Sequence, residues 1–318
     1  MNHKRATIIF NPMSGRPARR AEDVRRMIAL LGERGVDAQA HATAGPGDAT
    51  KLAEEAVAAG ADIMISYGGD GTLNEVIQGM AGSQTALAVW PGGTSNVVAR
   101  DLGTPFEIRG LADMIAGGKT RRIALGLVLG NGCQGLGIGR NGSERQPPTP
   151  SPQPLRRYFL MMAGIGLDAS IARGVNKKLK RRTGEFAYWL SGIRHLFLWR
   201  AEPFTVEVDG RIFKGAFALI GNGKGYGGGM MMTPGAKLEE PWFEVYILPP
   251  LANNFAYLRA LVACMRGKPE VSGGSLIRGT HVKANSAHEP WVEADGEIIG
   301  PLPMTFDIVP DALSVIVS

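Results

Sequence analysis

The sequence predicts an α/β N-terminal domain with a doubly wound, mostly parallel sheet, followed by a β-rich, antiparallel sandwich-like C-terminal domain. Three observations carry this. Over residues 6–116, short apolar runs alternate with stretches of helical spacing, joined by short loops. Polar, glycine-bearing loops follow the apolar runs, at the end of a parallel sheet where ligands bind. From Ile123 onward the apolar runs shorten and are broken by glycine, as an antiparallel sheet requires. A chain of 318 residues has room for two domains. The boundaries are expected at 1–122 for the first, with 304–318 a candidate to pack back on it, and 123–303 for the second.

Composition limits the function classes. Hydrophobic residues make up 44% and charged residues 20%, which describes a globular chain with a sizeable core. The net charge of +6 and pI near 9.4 suit an anionic partner, whether nucleotide, membrane surface or nucleic acid. Two cysteines, Cys133 and Cys264, make neither a disulfide framework nor a metal cluster, so a reducing cytoplasm is expected. The five histidines form no ligand-spaced pair, which argues against zinc chemistry. The opening Met1-Asn2-His3-Lys4-Arg5 leads into a strand with no apolar signal core, and no run of 18 apolar residues occurs. Any membrane contact is then peripheral.

The elements follow in order. Ala6–Phe10 reads as a strand ending in the loop Asn11-Pro12-Met13-Ser14-Gly15-Arg16. Residues 17–34 carry helical spacing with Val24, Met27, Ile28 and Leu31 on one face, and Gly35 closes the helix. A strand over 36–42 and the loop 43–48 precede an Ala-rich helix to Ala59, with Asp48 expected as its N-cap. A buried strand over 62–67 enters Gly68-Gly69-Asp70-Gly71-Thr72-Leu73-Asn74, with a helix expected from Glu75. Three glycines let backbone approach a bulky anion, and the following helix points free N–H groups at the same spot. A carboxylate there would repel bare phosphate, so Asp70 makes chemical sense with a metal ion between them. The same seven residues also describe a plain strand-to-helix turn. Ala86–Trp90 is the next strand, followed by Pro91-Gly92-Gly93-Thr94-Ser95-Asn96, a helix opening, and a last helix over 106–116. Four polar loops thus follow four strands and can converge on one edge. Neither a P-loop nor a dinucleotide fingerprint is present.

At this point the chain resembles the diacylglycerol kinase catalytic-domain family, soluble lipid kinases that include sphingosine and ceramide kinases. The matching residues are Asn11 to Gly15, Gly68 to Glu75, Pro91 to Asn96, Ala163-Gly164-Ile165-Gly166-Leu167-Asp168-Ala169 and Asp295-Gly296-Glu297, in family order. The resemblance implies a nucleotide domain, a lipid domain and an active site between them. It implies ATP contacts at Asn11, Pro12, Met13, Ser14, Gly15, Thr43, Gly68, Gly69, Asp70, Gly71, Thr72, Leu73, Asn74, Thr94 and Asn96. It makes Asp70 the organiser of Mg²⁺ and Glu297 the base, with Asp295 beside it among the catalytic acids. A structural Mg²⁺ is implied at the Glu240 carboxylate with the carbonyls of Lys237 and Trp242. Phosphoryl transfer to a hydroxyl needs placement, charge neutralisation and a proton acceptor, so the residue types suit the chemistry. A hairpin turn carrying a surface acid would also explain Asp295-Gly296-Glu297.

In the second half, residues 140–154 hold five prolines without apolar periodicity and are expected as an exposed insertion in a hairpin. Residues 173–182 are strongly basic and precede a helical face of Phe186, Trp189, Leu190, Ile193 and Phe197. That pair suits anionic lipid, or equally a core-packed helix with a solvated basic end. No base-reading module accompanies it, so nucleic acid is not an expected partner. A second copy of the chain stays a candidate partner. Met230 to Met232 would offer pliable surface to acyl chains or fill core.

The chain departs from the family pattern at Val97 and Ala124, where relatives commonly carry Asp, and at Glu239-Glu240-Pro241, where they read Asp-Asp-Gly. The expected function is ATP-dependent phosphorylation of a lipid hydroxyl, diacylglycerol-like first and sphingoid or ceramide-like second. The rivals are an NAD kinase, which shares the glycine loop, and a lipid- or nucleotide-binding homologue with little catalysis, suggested by Val97 and Ala124.

Overall fold

The structure, a computed structural model, describes residues 4–15, 17–134, 149–166, 202–226, 230–288 and 290–318. The basic segment 173–182, the aromatic face from Phe186 to Phe197, residues 140–148 of the insertion, residues 167–169 and Gly227 to Gly229 lie outside the described residues. The chain divides into two compact units: Met1–Leu125 with Leu238–Pro241 and Val309–Ser318, and Gly126–Lys237 with Trp242–Ile308.

The first unit is the expected α/β fold. Its strands are β1 (Lys4–Phe10), β2 (Val36–Ala42), β3 (Ile63–Gly68) and β4 (Ala86–Pro91), joined by α1 (Pro17–Gly32), α2 (Asp48–Ala58) and α3 (Asp70–Met80). The sheet order is β2-β1-β3-β4, every pair parallel. The end of the last strand, β18 (Met304–Ile316), adds to it in parallel through Ser314 and Val315 against Ala86 and Leu87. Strand parity explains the double winding. Ile8, Ile65 and Ala88 join a core with Val24, Met27 and Leu31 of α1 and Leu111 and Ile115 of α5 (Ile108–Gly117). Ile9, Met64, Leu87 and Val89 are also buried, on the opposite side, where α2 and α3 contact the strands. Two buried faces demand the continuous apolar runs of β1, β3 and β4, while β2, at the sheet edge with Val36 its one buried residue, alternates.

Several boundaries differ from expectation. The helix expected from Glu75 begins at Asp70, with Gly69 at its N-cap; Gly71, Thr72, Leu73 and Asn74 are therefore helix, and the strand-to-helix connection shrinks to Gly69. Asp48 is not the N-cap of α2 but its first residue, Gly47 taking the cap in a left-handed conformation. Its carboxylate accepts the N–H groups of Ala44 and Gly45, each at 2.8 Å, and so folds the preceding loop. α1 stops at Gly32, short of 34. α5 starts at Ile108, because Glu107 caps it by accepting the Gly110 N–H at 2.8 Å. A five-residue helix, α4 (Val97–Asp101), follows Asn96.

The second unit is an antiparallel sandwich. One sheet runs in the order β14-β13-β10-β7-β16-β17, with β7 (Met162–Ile165), β10 (Phe217–Gly221), β13 (Phe243–Leu248), β14 (Ser275–Gly279), β16 (Trp291–Ala294) and β17 (Glu297–Pro301). The other joins the start of β18 to β15 (His281–Asn285), β8 (Phe204–Val208) and β9 (Arg211–Gly215). Inward residues of both sheets make one core: Ala163, Ile165, Ile220 and Val245 face Val206, Val282, Ala284 and Phe306. β9 and β10 follow directly on one another, parted at Ala216. Part of the Pro-rich insertion is strand: β6 (Thr149–Phe159) pairs antiparallel with β5 (Thr120–Gln134). Among the described residues β6 pairs with β5 alone and is an edge, where prolines without N–H groups are tolerated. Among the described residues no helix is long and apolar enough to cross a membrane.

Candidate functional site

The loops of the first unit meet backbone to backbone. The Asn11 N–H donates to the Tyr67 carbonyl (3.2 Å), the Gly92 N–H to the Gly68 carbonyl (2.8 Å) and the Thr43 N–H to the Phe10 carbonyl (2.9 Å), extending the sheet ladder into the loops. Asn11 folds its own loop, its side-chain oxygen accepting the Met13 N–H at 2.9 Å, with Pro12 between. Met13 is three-quarters exposed at the tip. Two glycines are required by contact. Gly15 has φ +62°, and a Cβ there would stand 2.3 Å from the Gly92 carbonyl oxygen; a Cβ on Gly93 would stand 2.6 Å from the Gly69 Cα. Both contacts are with backbone, which cannot turn aside.

Arg20 locks this arrangement. It is buried on α1, its Nε donating to the Ser14 carbonyl at 2.8 Å and its Nη2 to the Gly92 carbonyl. Its guanidinium lies 3.9 Å from the centre of the Tyr67 ring, which stacks on Trp90 at 3.7 Å. The Tyr67 hydroxyl donates to Asp23 at 2.7 Å, and burial followed by that carboxylate pushes the phenol up to about 12. In the sequence the one signal of Arg20 is its spacing with Val24, Met27 and Leu31, which puts a cation on an apolar stripe. We predict that Arg20→Met costs about 3 kcal/mol of first-unit stability, from two charge-assisted hydrogen bonds and a ring contact. Arg20→Lys should recover less than half, since an ammonium cannot span both carbonyls. Chemical denaturation of the two variants measures both values; equal stability of Arg20→Met and wild type would refute the clamp.

Asp70 stands at the first position of α3. Its Oδ1 accepts the Val97 N–H at 3.0 Å, so the residue that departs from the family pattern contributes its backbone. Burial raises the Asp70 carboxyl above its usual range, against the pull of nearby N–H groups led by Val97. Leu73 and Asn74 point into the core, while Gly71 and Thr94 are exposed. Asn96 is left-handed and closes its loop on Gly93, donating and accepting at 2.9 and 2.8 Å. Glu75 accepts the N–H groups of Gly47 and Ala49 at 3.0 and 3.3 Å, tying the loop that carries Thr43 to α3.

A divalent cation fits this set through one carboxylate. Among the described residues no three His, Cys, Asp or Glu side chains gather around a common point. Magnesium is commonly held by one or two carboxylates together with substrate phosphates and water. The buried Nη1 of Arg20 and Nδ2 of Asn74 lack partners among the described residues. Of the residues tied to the second metal, Glu240 falls in the first unit and is half-buried. Lys237 is exposed and Trp242 lies under the Arg278 guanidinium at 4.2 Å, both in the second unit.

In the second unit the turn between β16 and β17 carries the acids. Asp295 and Gly296 have φ of +48° and +81°, the signature of a two-residue hairpin turn. The Asp295 carboxylate accepts the N–H groups of Leu160, Met161 and Met162 at 2.6, 2.9 and 3.1 Å. Buried Glu293 accepts the Gly296 N–H at 2.7 Å. Buried Asn222 holds the same 160–161 turn, donating to the Leu160 carbonyl at 2.7 Å. Glu297 is left at the surface end of the turn, about two-fifths exposed and paired with Arg157. No pattern in the sequence announces Arg157, 140 residues from its partner. Ala124 is buried and presents no acid.

A parallel sheet with glycine loops packed on one another and a carboxylate at a helix start, together with a sandwich that carries a turn-borne acid, has the residue types that phosphoryl transfer uses. Residues 5–128 match the family model described as the diacylglycerol kinase catalytic domain, and residues 162–317 the YegS C-terminal NAD kinase beta sandwich-like domain. A protein of Bacillus subtilis named diacylglycerol kinase is 32% identical over 310 residues, covering 95% of this chain and 93% of its own. The chain belongs to the diacylglycerol kinase family. A diacylglycerol kinase of Staphylococcus aureus is 30% identical, over 95% of this chain and 89% of its own. A crystal structure titled as a diacylglycerol kinase from Bacillus anthracis shares the fold with a TM-score of 0.73 at 22% identity, covering 99% of this chain and 97% of that one.

Proposed function

We propose that this chain is an ATP-dependent lipid kinase, using Mg²⁺, that phosphorylates a lipid hydroxyl in lipid metabolism at a cytoplasmic membrane surface. Diacylglycerol-like substrates come first, in line with the names of the relatives that align over the whole chain, and sphingoid or ceramide-like ones second. The observation that carries the reading is the closure of the loops after β1, β3 and β4 on one another, glycine backbone against backbone at Gly15 with Gly92 and Gly69 with Gly93, with Arg20 bridging the Ser14 and Gly92 carbonyls. Beside these loops the start of α3 at Asp70 offers the first-turn N–H groups that a helix leaves for an anion such as a polyphosphate.

In this reading Asn11 to Gly15, Thr43, Gly68 to Asn74, Thr94 and Asn96 form the nucleotide side, held in place by Arg20. Asp70 would hold the metal, which would supply charge neutralisation at the phosphates. Asp295 fixes the turn by holding three backbone N–H groups. Glu297 takes the proton of the attacking lipid hydroxyl as its oxygen bonds to the γ-phosphorus and the bond to ADP breaks. Arg157 orients Glu297. Glu240, with the carbonyls of Lys237 and Trp242, is the proposed second metal site.

The test is incubation of pure protein with labelled ATP, Mg²⁺ and a panel of lipids in detergent micelles, with NAD alongside. Labelled diacylglycerol phosphate is the expected product. Labelled NAD would replace the lipid reading, and nucleotide binding without any product would make the chain a binding homologue. Gly93→Ala should weaken nucleotide binding about tenfold, because a Cβ against Gly69 separates the two loops. Isothermal titration with a non-hydrolysable ATP analogue measures it; unchanged affinity would place the nucleotide elsewhere.

A further inference from the structure

Helix α6 (Asn254–Met265) of the second unit has an outward face that the kinase reading leaves unused. Asn253 caps it, accepting the Ala256 N–H at 3.0 Å. Its inner face is settled: Tyr257, Ala260 and Cys264 are buried. The opposite face carries Phe255, Arg259, Val262 and Arg266, at i, i+4, i+7 and i+11. All four are exposed, and Phe255 shows 64% of its surface. Val271, 73% exposed, belongs to the 3₁₀ turn Pro269–Ser272, which packs against α6. Large apolar side chains interleaved with arginines describe neither a solvated face nor a core face.

We propose that this face of α6, with Val271, is a docking surface for an anionic lipid bilayer. Charge selects the occupant. Between Asn253 and Ser272 the chain has three cations, Arg259, Arg266 and Lys268, against one acid, Glu270. None of the ion pairs among the described residues engages those cations. Two copies of the face laid together would oppose arginine to arginine with no acid on the helix to relieve them. An anionic bilayer offers phosphates to the arginines and acyl chains to Phe255, Val262 and Val271. Twelve residues make a helix of about 18 Å, too short to cross and suited to lying in the interface. The proposal rests on the lipid-kinase reading for its biological sense, since a substrate held in a bilayer must be met there.

The experiment is co-sedimentation of the full chain, without nucleotide, with phosphatidylglycerol-containing vesicles and with pure phosphatidylcholine vesicles. Binding is expected to the anionic vesicles. Phe255→Ser with Val262→Ser should lower apparent affinity about tenfold. Arg259→Gln with Arg266→Gln should lower it about fivefold for each arginine. All four positions are exposed, and unchanged thermal unfolding verifies the fold. Vesicle binding within twofold of wild type in either double variant would overturn the proposal. So would a variant that loses self-association in sedimentation equilibrium but keeps vesicle binding, which would give the face to a second copy. Kinase assays in micelles separate the two claims: loss of vesicle binding with micellar activity intact supports both. The same loss in a protein that phosphorylates no lipid supports the docking face and removes the kinase reading.

Discussion

Glu297→Gln is expected to lower kcat by a factor of about 10² to 10⁴ while leaving nucleotide affinity within about twofold. That range is what a positioned proton acceptor contributes. The substitution keeps the shape of the side chain and its capacity to accept a hydrogen bond from Arg157, so the β16–β17 turn should persist. The turn itself is fixed by other groups: Asp295 with its three N–H partners and Glu293 with Gly296. A stability loss in this variant is therefore not expected, and a rate loss reports on chemistry. The comparison with Asp295→Asn sharpens the point. That change weakens three charge-assisted hydrogen bonds and should cost about 2 kcal/mol of stability together with activity. Steady-state kinetics and denaturation of both variants give the four numbers, and a Glu297→Gln enzyme with wild-type kcat would end the assignment of the base.

Asp70→Asn should lower activity by about 10² to 10³, the scale of removing one electrostatic partner of a reacting phosphate. With Val97 and Ala124 in the places where relatives commonly carry acids, no neighbour at those positions can take over. The stability effect has the opposite sign. In the unfolded chain the carboxyl titrates near 3.8, and burial raises it in the fold. A raised carboxyl pKa makes stability greatest below the unfolded value, and that contribution is lost as pH rises through the folded value. Asp70→Asn removes this slope, so in chelator at pH 7 the variant should be at least as stable as wild type. Urea denaturation between pH 4 and pH 7 tests the sign. An Asp70→Asn enzyme that keeps its rate would show that the metal is held elsewhere.

Legibility in the sequence followed the range of the interactions. The strands β1, β3 and β4 could be read because both their faces carry buried residues, which forces continuous apolar runs, and the edge strand β2 because a half-buried side alternates with an exposed one. The turn at Asp295-Gly296 could be read because a local backbone need, two positive φ values, selects Asp-Gly. The start of α3 was misplaced by five residues because Gly71 and Thr72 disfavour helix locally, and packing of Leu73, Asn74 and Ile77 overrides them. The sequence points to Asp48 as a cap because Gly47, which holds the cap, has no side chain to announce it. The strand start at Thr149 was hidden by prolines that an edge position tolerates.

The sequence by itself determined the class of each domain, the order of the loops and the acids that carry the proposed chemistry, since each follows from patterns of a few residues. Only the tertiary structure decided what those acids are tied to. Asp70 meets a backbone N–H 27 residues away, Glu297 meets Arg157, and Arg20 binds carbonyls of Ser14 and Gly92. Such partners are chosen by how whole elements pack, and one chain without its fold holds no local trace of a contact made across it.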